Sequence, residues 1–136
     1  MKNSTNKQVV ASYFEAFGRG DMEAVRQHFH PNCKIVSVRD GSRKSGQLHG
    51  TYHGTDEAKT FLGNISRLFD TQSFEVLSLM EAEDNVVYAH GSFAHTVKAT
   101  GKVFNSDWVQ RCVISDDKII EYRFYEDSAA YEIAAQ

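Results

Sequence analysis

Between Lys102 and Asp127 the chain reads KVFNSDWVQRCVISDDKIIEYRFYED, two long strands joined at Ser115-Asp116-Asp117. Successive side chains on a strand point to opposite faces. Phe104, Ser106, Trp108, Gln110 and Cys112 therefore share one face of the first arm, opposite Val103, Asn105, Asp107, Val109, Arg111 and Val113. In the second arm Ile120, Tyr122 and Phe124 fall together, opposite Ile119, Glu121, Arg123 and Tyr125. Both faces carry large apolar groups, which a sheet with one face in water does not need. One face is expected to meet helices and the other a second sheet or subunit. A Trp, a Gln and two aromatics on the helix-side face predict a lined cavity rather than a plain apolar core.

The segments upstream supply the cover. Thr5-Asn6-Lys7-Gln8 forms a capping-box pattern, and Val9, Val10, Tyr13, Phe14 and Phe17 then recur at helical spacing until Gly18-Arg19-Gly20. Asp21 caps a short second helix bearing Met22, Val25 and Phe29, stopped by His30-Pro31-Asn32. Cys33 to Val38 predicts a strand, Arg39 to Gly46 a loop, and Thr51-Tyr52 a short extended piece. Thr55 is the expected N-cap of a third helix carrying Ala58, Phe61, Leu62, Ile65, Leu68 and Phe69. The period then changes to two. Strands are expected over Phe74 to Ala82 and Val86 to Lys98, with turns at Glu83-Asp84-Asn85 and Ala99-Thr100-Gly101, and a terminal helix over Ser128 to Ala135. Val86, Tyr88, His90, Ser92 and Ala94 share a face on the strand adjacent to the Trp108 strand and are expected to point into the cavity. Helices followed by an antiparallel meander give an α+β class, a cone of curved sheet with a mouth, in one domain over 1–136.

Composition narrows the function classes. With 136 residues the chain is long enough for one core, and a net charge of -3 leaves no electrostatic footprint for nucleic acid. Cys33 and Cys112 form no CxxC and read as free thiols in a reducing compartment. MKNSTNKQ lacks an apolar signal core, no run approaches a membrane span, and a cytoplasmic location with no membrane partner is expected. No glycine-rich phosphate loop, Ser-His-Asp order or metal-ligand spacing occurs, so neither cofactor nor metal is expected. His28, His30, His49 and His53 sit near loops and read as solvated surface histidines.

Several short motifs fall in a familiar order: Tyr13-Phe14-Glu15-Ala16-Phe17, Gly20-Asp21-Met22, His30-Pro31, Gly50-Thr51-Tyr52-His53-Gly54, the Trp108 strand, Lys118-Ile119-Ile120 and Arg123-Phe124-Tyr125-Glu126-Asp127. In them the chain resembles the SnoaL-like and ketosteroid isomerase-like branch of the nuclear transport factor 2-like superfamily. That resemblance implies N-terminal helices on a strongly curved antiparallel sheet, a pocket for a small hydrophobic molecule and a homodimer through the outer sheet face. It does not imply one chemistry. Tyr13 matches the tyrosine that donates to the oxyanion in ketosteroid isomerases. The general base of those enzymes falls at Ser37, and their protonated acid near Trp108. The acid that limonene epoxide hydrolase-like members carry on the final strand falls at Phe124. For the acid/base Asp of polyketide cyclases, Asp107 and Asp127 are nearest, both off the expected pocket parity.

On the residues themselves, His90 is the expected proton carrier, because a histidine titrates near neutrality. Tyr13 is the expected oxyanion donor. Asp127 is a further acid/base candidate, although capping of the terminal helix through Ala129 or Ala130 is the favoured role. Phe17, Tyr52, Tyr88, Trp108, Gln110, Tyr122 and Phe124 are expected to contact the ligand. Two functions stay open: a cofactor-independent isomerase, cyclase or hydrolase acting on a small hydrophobic carbonyl compound, and a binding or dimerisation module without turnover.

Overall fold

The computed structural model describes residues 5–136. Residues 1–4, half of the opening segment on which the localisation expectation rests, lie outside the described residues. In chain order the elements are α1 (Asn6–Gly18), α2 (Met22–Arg26), β1 (Phe29–Ser37), β2 (Gly50–His53), α3 (Gly54–Leu68), β3 (Phe69–Glu81), β4 (Val86–Val97), β5 (Val103–Ser115), β6 (Lys118–Glu126) and α4 (Ser128–Ala135). The strands form one unclosed, curved sheet in the order β2-β1-β6-β5-β4-β3. The run β3 to β6 is an antiparallel meander, while β1 joins β6 in parallel. No helix among the described residues is long and apolar enough to cross a membrane.

Local chemistry explains most boundaries. Thr5 and Gln8 close the capping box of α1, with Thr5 Oγ1 accepting from the Gln8 amide at 3.1 Å and Gln8 Oε1 from the Thr5 amide at 2.8 Å. Asp21 caps α2 through the Ala24 amide at 3.1 Å, and Asp127 caps α4 through the Ala130 amide at 3.0 Å. Thr55 does not cap α3. Gly54, at φ +78°, turns β2 straight into the helix, so the cap position falls to His53. The His53 amide instead donates to Glu57 Oε1 at 2.8 Å. Left-handed pairs at Asp84-Asn85 and Asp116-Asp117 make the two tight turns of the meander, a geometry that Asp and Asn tolerate. β1 begins at Phe29 rather than Cys33, with an irregularity in its pairing between Phe29 and Lys34 around Pro31. β3 begins at Phe69, directly after α3, rather than at Phe74.

The pairing of β4 with β5 overturns one expectation. Gly91 lies opposite Trp108, and His90 opposite Val109. The Val97 amide donates to the Lys102 carbonyl at 2.8 Å, so residues 98–101 form the connection, one more than the expected Ala99-Thr100-Gly101. A shift of one residue moves every side chain of a strand to the opposite face. Val87, Ala89, Gly91, Phe93 and His95 consequently face the helices with Trp108, whereas Tyr88 and His90 lie exposed on the outer face.

The core is centred on Trp108, 1% exposed. Its ring stacks on Phe74 at 4.9 Å and 19° and on Phe124 at 5.5 Å and 21°. Gly91 makes room for the indole beneath it. A Cβ there would sit 1.9 Å from the Glu75 carbonyl oxygen and 2.5 Å from Trp108 Cζ2. Gly91→Ala is expected to lose on the order of 1–3 kcal/mol of stability by overpacking, read as a lower urea midpoint. An unchanged midpoint would show that the sheet yields freely at this point.

Bringing His95 inside has a pH consequence. Burial holds its imidazole down to about 4, whereas an unfolded histidine titrates near 6.5. Between those values the unfolded chain binds more protons, so stability rises with pH. The contribution is complete above about pH 6.5 and is lost progressively as pH falls towards 4, by about 3 kcal/mol at about 1.4 kcal/mol per unit. Urea melts of the native chain and His95→Phe across that window should converge towards neutral pH and separate in acid, the variant losing less stability.

Candidate active site

A narrow slot runs between the helices and the concave face of the sheet. Tyr13 and Phe17 enter it from α1, Phe61 and Ile65 from α3, Phe93 and His95 from β4, Gln110 from β5, and Tyr122, Phe124 and Glu126 from β6. Ser37 at the end of β1 and Leu48 from the following loop complete its wall, together with Phe69 and Phe74 of β3. About 40 Å³ is open to the centre of a water-sized sphere, above the roughly 10–15 Å³ that one water needs. A thin, flat guest suits such a space better than a bulky one.

The polar groups in this aromatic slot are few. The hydroxyl oxygens of Tyr13 and Tyr122 lie 3.5 Å apart, a long contact in which Tyr13 donates. Burial pushes the pKa of both phenols well up, so both stay protonated and offer O–H donors. Gln110 Nε2 donates to Cys112 Sγ at 3.3 Å, and Gln110 Oε1 has no hydrogen-bond partner among the described residues. The Cys112 thiol, pushed up to about 12 by burial, is held in its unreactive form. Among the described residues Glu126 is the slot's one carboxylate, its side chain 6% exposed. Its Oε2 lies 3.1 Å from His49 Nε2, and the charge on Glu126 is close enough to help raise the Tyr122 pKa. Farther along, His95 Nδ1 lies 3.0 Å from Thr71 Oγ1, and its ring is stacked between Phe69 at 4.6 Å and Phe93 at 4.2 Å.

The loop between β1 and β2 closes over one end of the slot and is fastened there. The Tyr52 hydroxyl donates to the Leu48 carbonyl at 2.7 Å and accepts from Asn64 Nδ2 at 3.1 Å. Arg67 Nη2 donates to the Gly46 carbonyl at 2.7 Å, and the Arg43 guanidinium lies 3.7 Å above the Tyr52 ring. These ties seat Leu48 in the wall. His49 then reaches Glu126 while packing on the Tyr131 ring at 4.8 Å.

Tyr13, the expected oxyanion donor, and four of the seven expected contact residues, Phe17, Gln110, Tyr122 and Phe124, line the slot. Trp108 lies behind the wall and supports Phe124 and Phe74, its Nε1 buried without a partner among the described residues. Tyr52 is also buried away from the slot, because its hydroxyl is committed to the loop. Tyr88 and His90 are on the outer face for the register reason above, so neither reaches a ligand in the slot. Asp127 is exposed, and its carboxylate is occupied by the α4 cap. Glu126, His95 and His49 were not anticipated. Glu126 continues the Tyr122, Phe124 parity by one more step, a signal the sequence does carry. His95 follows only from the register of β4. His49, expected at the solvated surface, sits in an irregular loop where no periodicity points inward. Among the described residues no group of three or more His, Cys, Asp or Glu side chains is placed to hold a metal ion.

Comparison with known proteins agrees with this architecture. The model of the SnoaL-like domain matches residues 10–122. A search of curated proteins finds no match. Among solved structures, an NTF2-like protein of unknown function from Burkholderia pseudomallei is similar at 22% identity and a TM-score of 0.84, covering 98% of each chain. TerC, crystallised with polyporic acid, is similar at 20% identity and a TM-score of 0.79, covering 97% of this chain and 98% of its own. A proposed SnoaL-like polyketide cyclase from Mesorhizobium loti is similar at 19% identity and a TM-score of 0.72, covering 90% of this chain and 99% of its own. At such identities these likenesses carry the fold alone, whereas the family model spans most of the sequence. This chain belongs to the SnoaL-like domain family.

Proposed function

We propose that this protein is a cofactor-independent enzyme that moves a proton on a small, flat, hydrophobic carbonyl compound, in an isomerase- or cyclase-type reaction. The observation that carries this is the Glu126 carboxylate, set in an otherwise aromatic slot that also holds two neutral phenols. A carbonyl oxygen near Tyr13 would accept its O–H in place of the long contact to the Tyr122 hydroxyl, with Tyr122 as the second phenol of the pair. Glu126 would take a proton from the carbon next to that carbonyl, the C–H electron pair moving onto the oxygen as an enolate. Returning the proton to another carbon isomerises the compound; attack by the enolate carbon on a second carbonyl closes a ring, the new alkoxide taking back the proton held by Glu126. Gln110 Oε1 is free to accept from a ligand hydroxyl. His49 positions the carboxylate from the loop side.

A binding module without turnover is the second reading. It is favoured by the narrowness of the slot and by the hydrogen bond that already occupies Glu126. Under either reading the outer sheet face has its own role. His90, Val109 and Tyr125 form one cross-strand row there, next to Tyr88. Tyr88, Val109 and Tyr125 are exposed at 40%, 37% and 44%, and we infer that a second copy of the chain covers them.

Acetophenone in D₂O tests the chemistry. The native chain should speed deuterium exchange of its methyl group, read by proton NMR, and Glu126→Gln should lower that rate at least about 100-fold while retaining binding. Tyr13→Phe should weaken acetophenone binding and leave ethylbenzene binding unchanged. Binding without exchange would select the non-catalytic reading, and no binding of either probe would reject both. For the outer face, light scattering should give about twice 15.4 kDa, and Val109→Glu should return the single-chain mass; a native chain at that mass would remove the dimer.

A further inference from the structure

The mechanism above leaves unused the buried histidine at the far end of the slot. Inward-facing pairs along β5 come in a fixed order: Cys112 with Tyr122, then Trp108 with Glu126, and finally Phe104 with His95. The polar groups of the slot are therefore strung out along the sheet rather than gathered at one point. From the Tyr122 ring, which Tyr13 meets, the wall of the slot runs through Phe124 and Phe93 to His95, at centroid steps of 6.3, 6.5 and 4.2 Å.

We propose that His95 is the second polar anchor of the slot, so that the natural ligand is a flat ring compound bearing oxygen at both ends: a carbonyl at the Tyr13 end and a hydroxyl or second carbonyl at the His95 end. This rests on the carbonyl-binding reading above and extends it to a substrate class. Packing alone does not call for an imidazole here. Between Phe69 and Phe93 a phenyl ring would stack as well, without burying polar nitrogen. One nitrogen, Nδ1, is committed to Thr71 Oγ1 at 3.0 Å; Nε2 makes no hydrogen bond among the described residues, and the side chain lines the slot. Burial keeps the ring neutral through the physiological range. A neutral imidazole paired with a hydroxyl has two arrangements. When Thr71 donates to Nδ1, Nε2–H donates to a ligand carbonyl. When Nδ1–H donates to Thr71, Nε2 accepts from a ligand hydroxyl.

The test compares acetophenone with 4-hydroxyacetophenone, and 2-acetylnaphthalene with 6-hydroxy-2-acetylnaphthalene, spanning two lengths. In at least one pair the added hydroxyl should tighten binding about tenfold, the effect of one good hydrogen bond of about 1.4 kcal/mol. His95→Phe should abolish that gain, so that the hydroxylated probe and its parent ketone bind the variant alike. The ¹⁵N resonances of His95 should shift with the hydroxylated probe and not with its parent. No gain in either pair, or a gain that persists in His95→Phe, overturns the inference while leaving the carbonyl reading intact. If no ketone binds, the carbonyl reading fails and this inference falls with it. Should His95→Phe not fold, Thr71→Val and the ¹⁵N shifts in the native chain decide: an unmoved His95 resonance and an undiminished gain in Thr71→Val reject the proposal.

Discussion

Much of this molecule hangs on the contact between the Trp108 indole and the bare backbone of Gly91. Where most residues would place a Cβ, the sheet lets a large ring lie flat against the neighbouring strand. That ring then supports Phe74 on one side and Phe124 on the other, which become walls of the slot. The same pairing sets the parity of β4, and with it which of its two central histidines is inside. The identity of the slot's polar groups is thus a consequence of one cross-strand register, itself set by the length of the connection at residues 98–101.

Within the slot the low polarity of the walls governs the chemistry. It keeps Tyr13 and Tyr122 protonated, keeps His95 uncharged and leaves Cys112 inert. These groups are donors and acceptors rather than charges. Glu126 is the exception, and it is partnered by a loop residue instead of by a second strand. Hydrogen bonds from Tyr52, Asn64 and Arg67 hold that loop in place. Buried groups far from the reacting centre therefore help to determine where the His49 imidazole sits, and the 38–49 segment belongs to the site as much as the strands do.

The fold was legible because its evidence is local. The capping box at Thr5, the Asp caps at Asp21 and Asp127, the left-handed turns at Asp84-Asn85 and Asp116-Asp117 and the two-residue alternation of β5 and β6 each act over a few neighbours. Tyr13, Phe17, Gln110, Tyr122 and Phe124 followed from that alternation and from family resemblance, and all line the slot. Glu126 was within reach of the same counting, since it lies two residues beyond Phe124. His90 and Tyr88 were assigned to the wrong face because alternation tells which residues share a face, not which face is inside. Tyr52 was assigned to the ligand although its hydroxyl has a backbone partner that no spacing could announce.

By itself the sequence determined the helices, the strands, the α+β class and the aromatic character of one sheet face, since these depend on short-range periodicity and composition. Only the tertiary structure decided that His95 rather than His90 enters the slot and that His49 meets Glu126. Those outcomes depend on strand register and on where an irregular loop comes to rest. Both are long-range quantities, in which a single added residue reverses a face and no periodic pattern records the result.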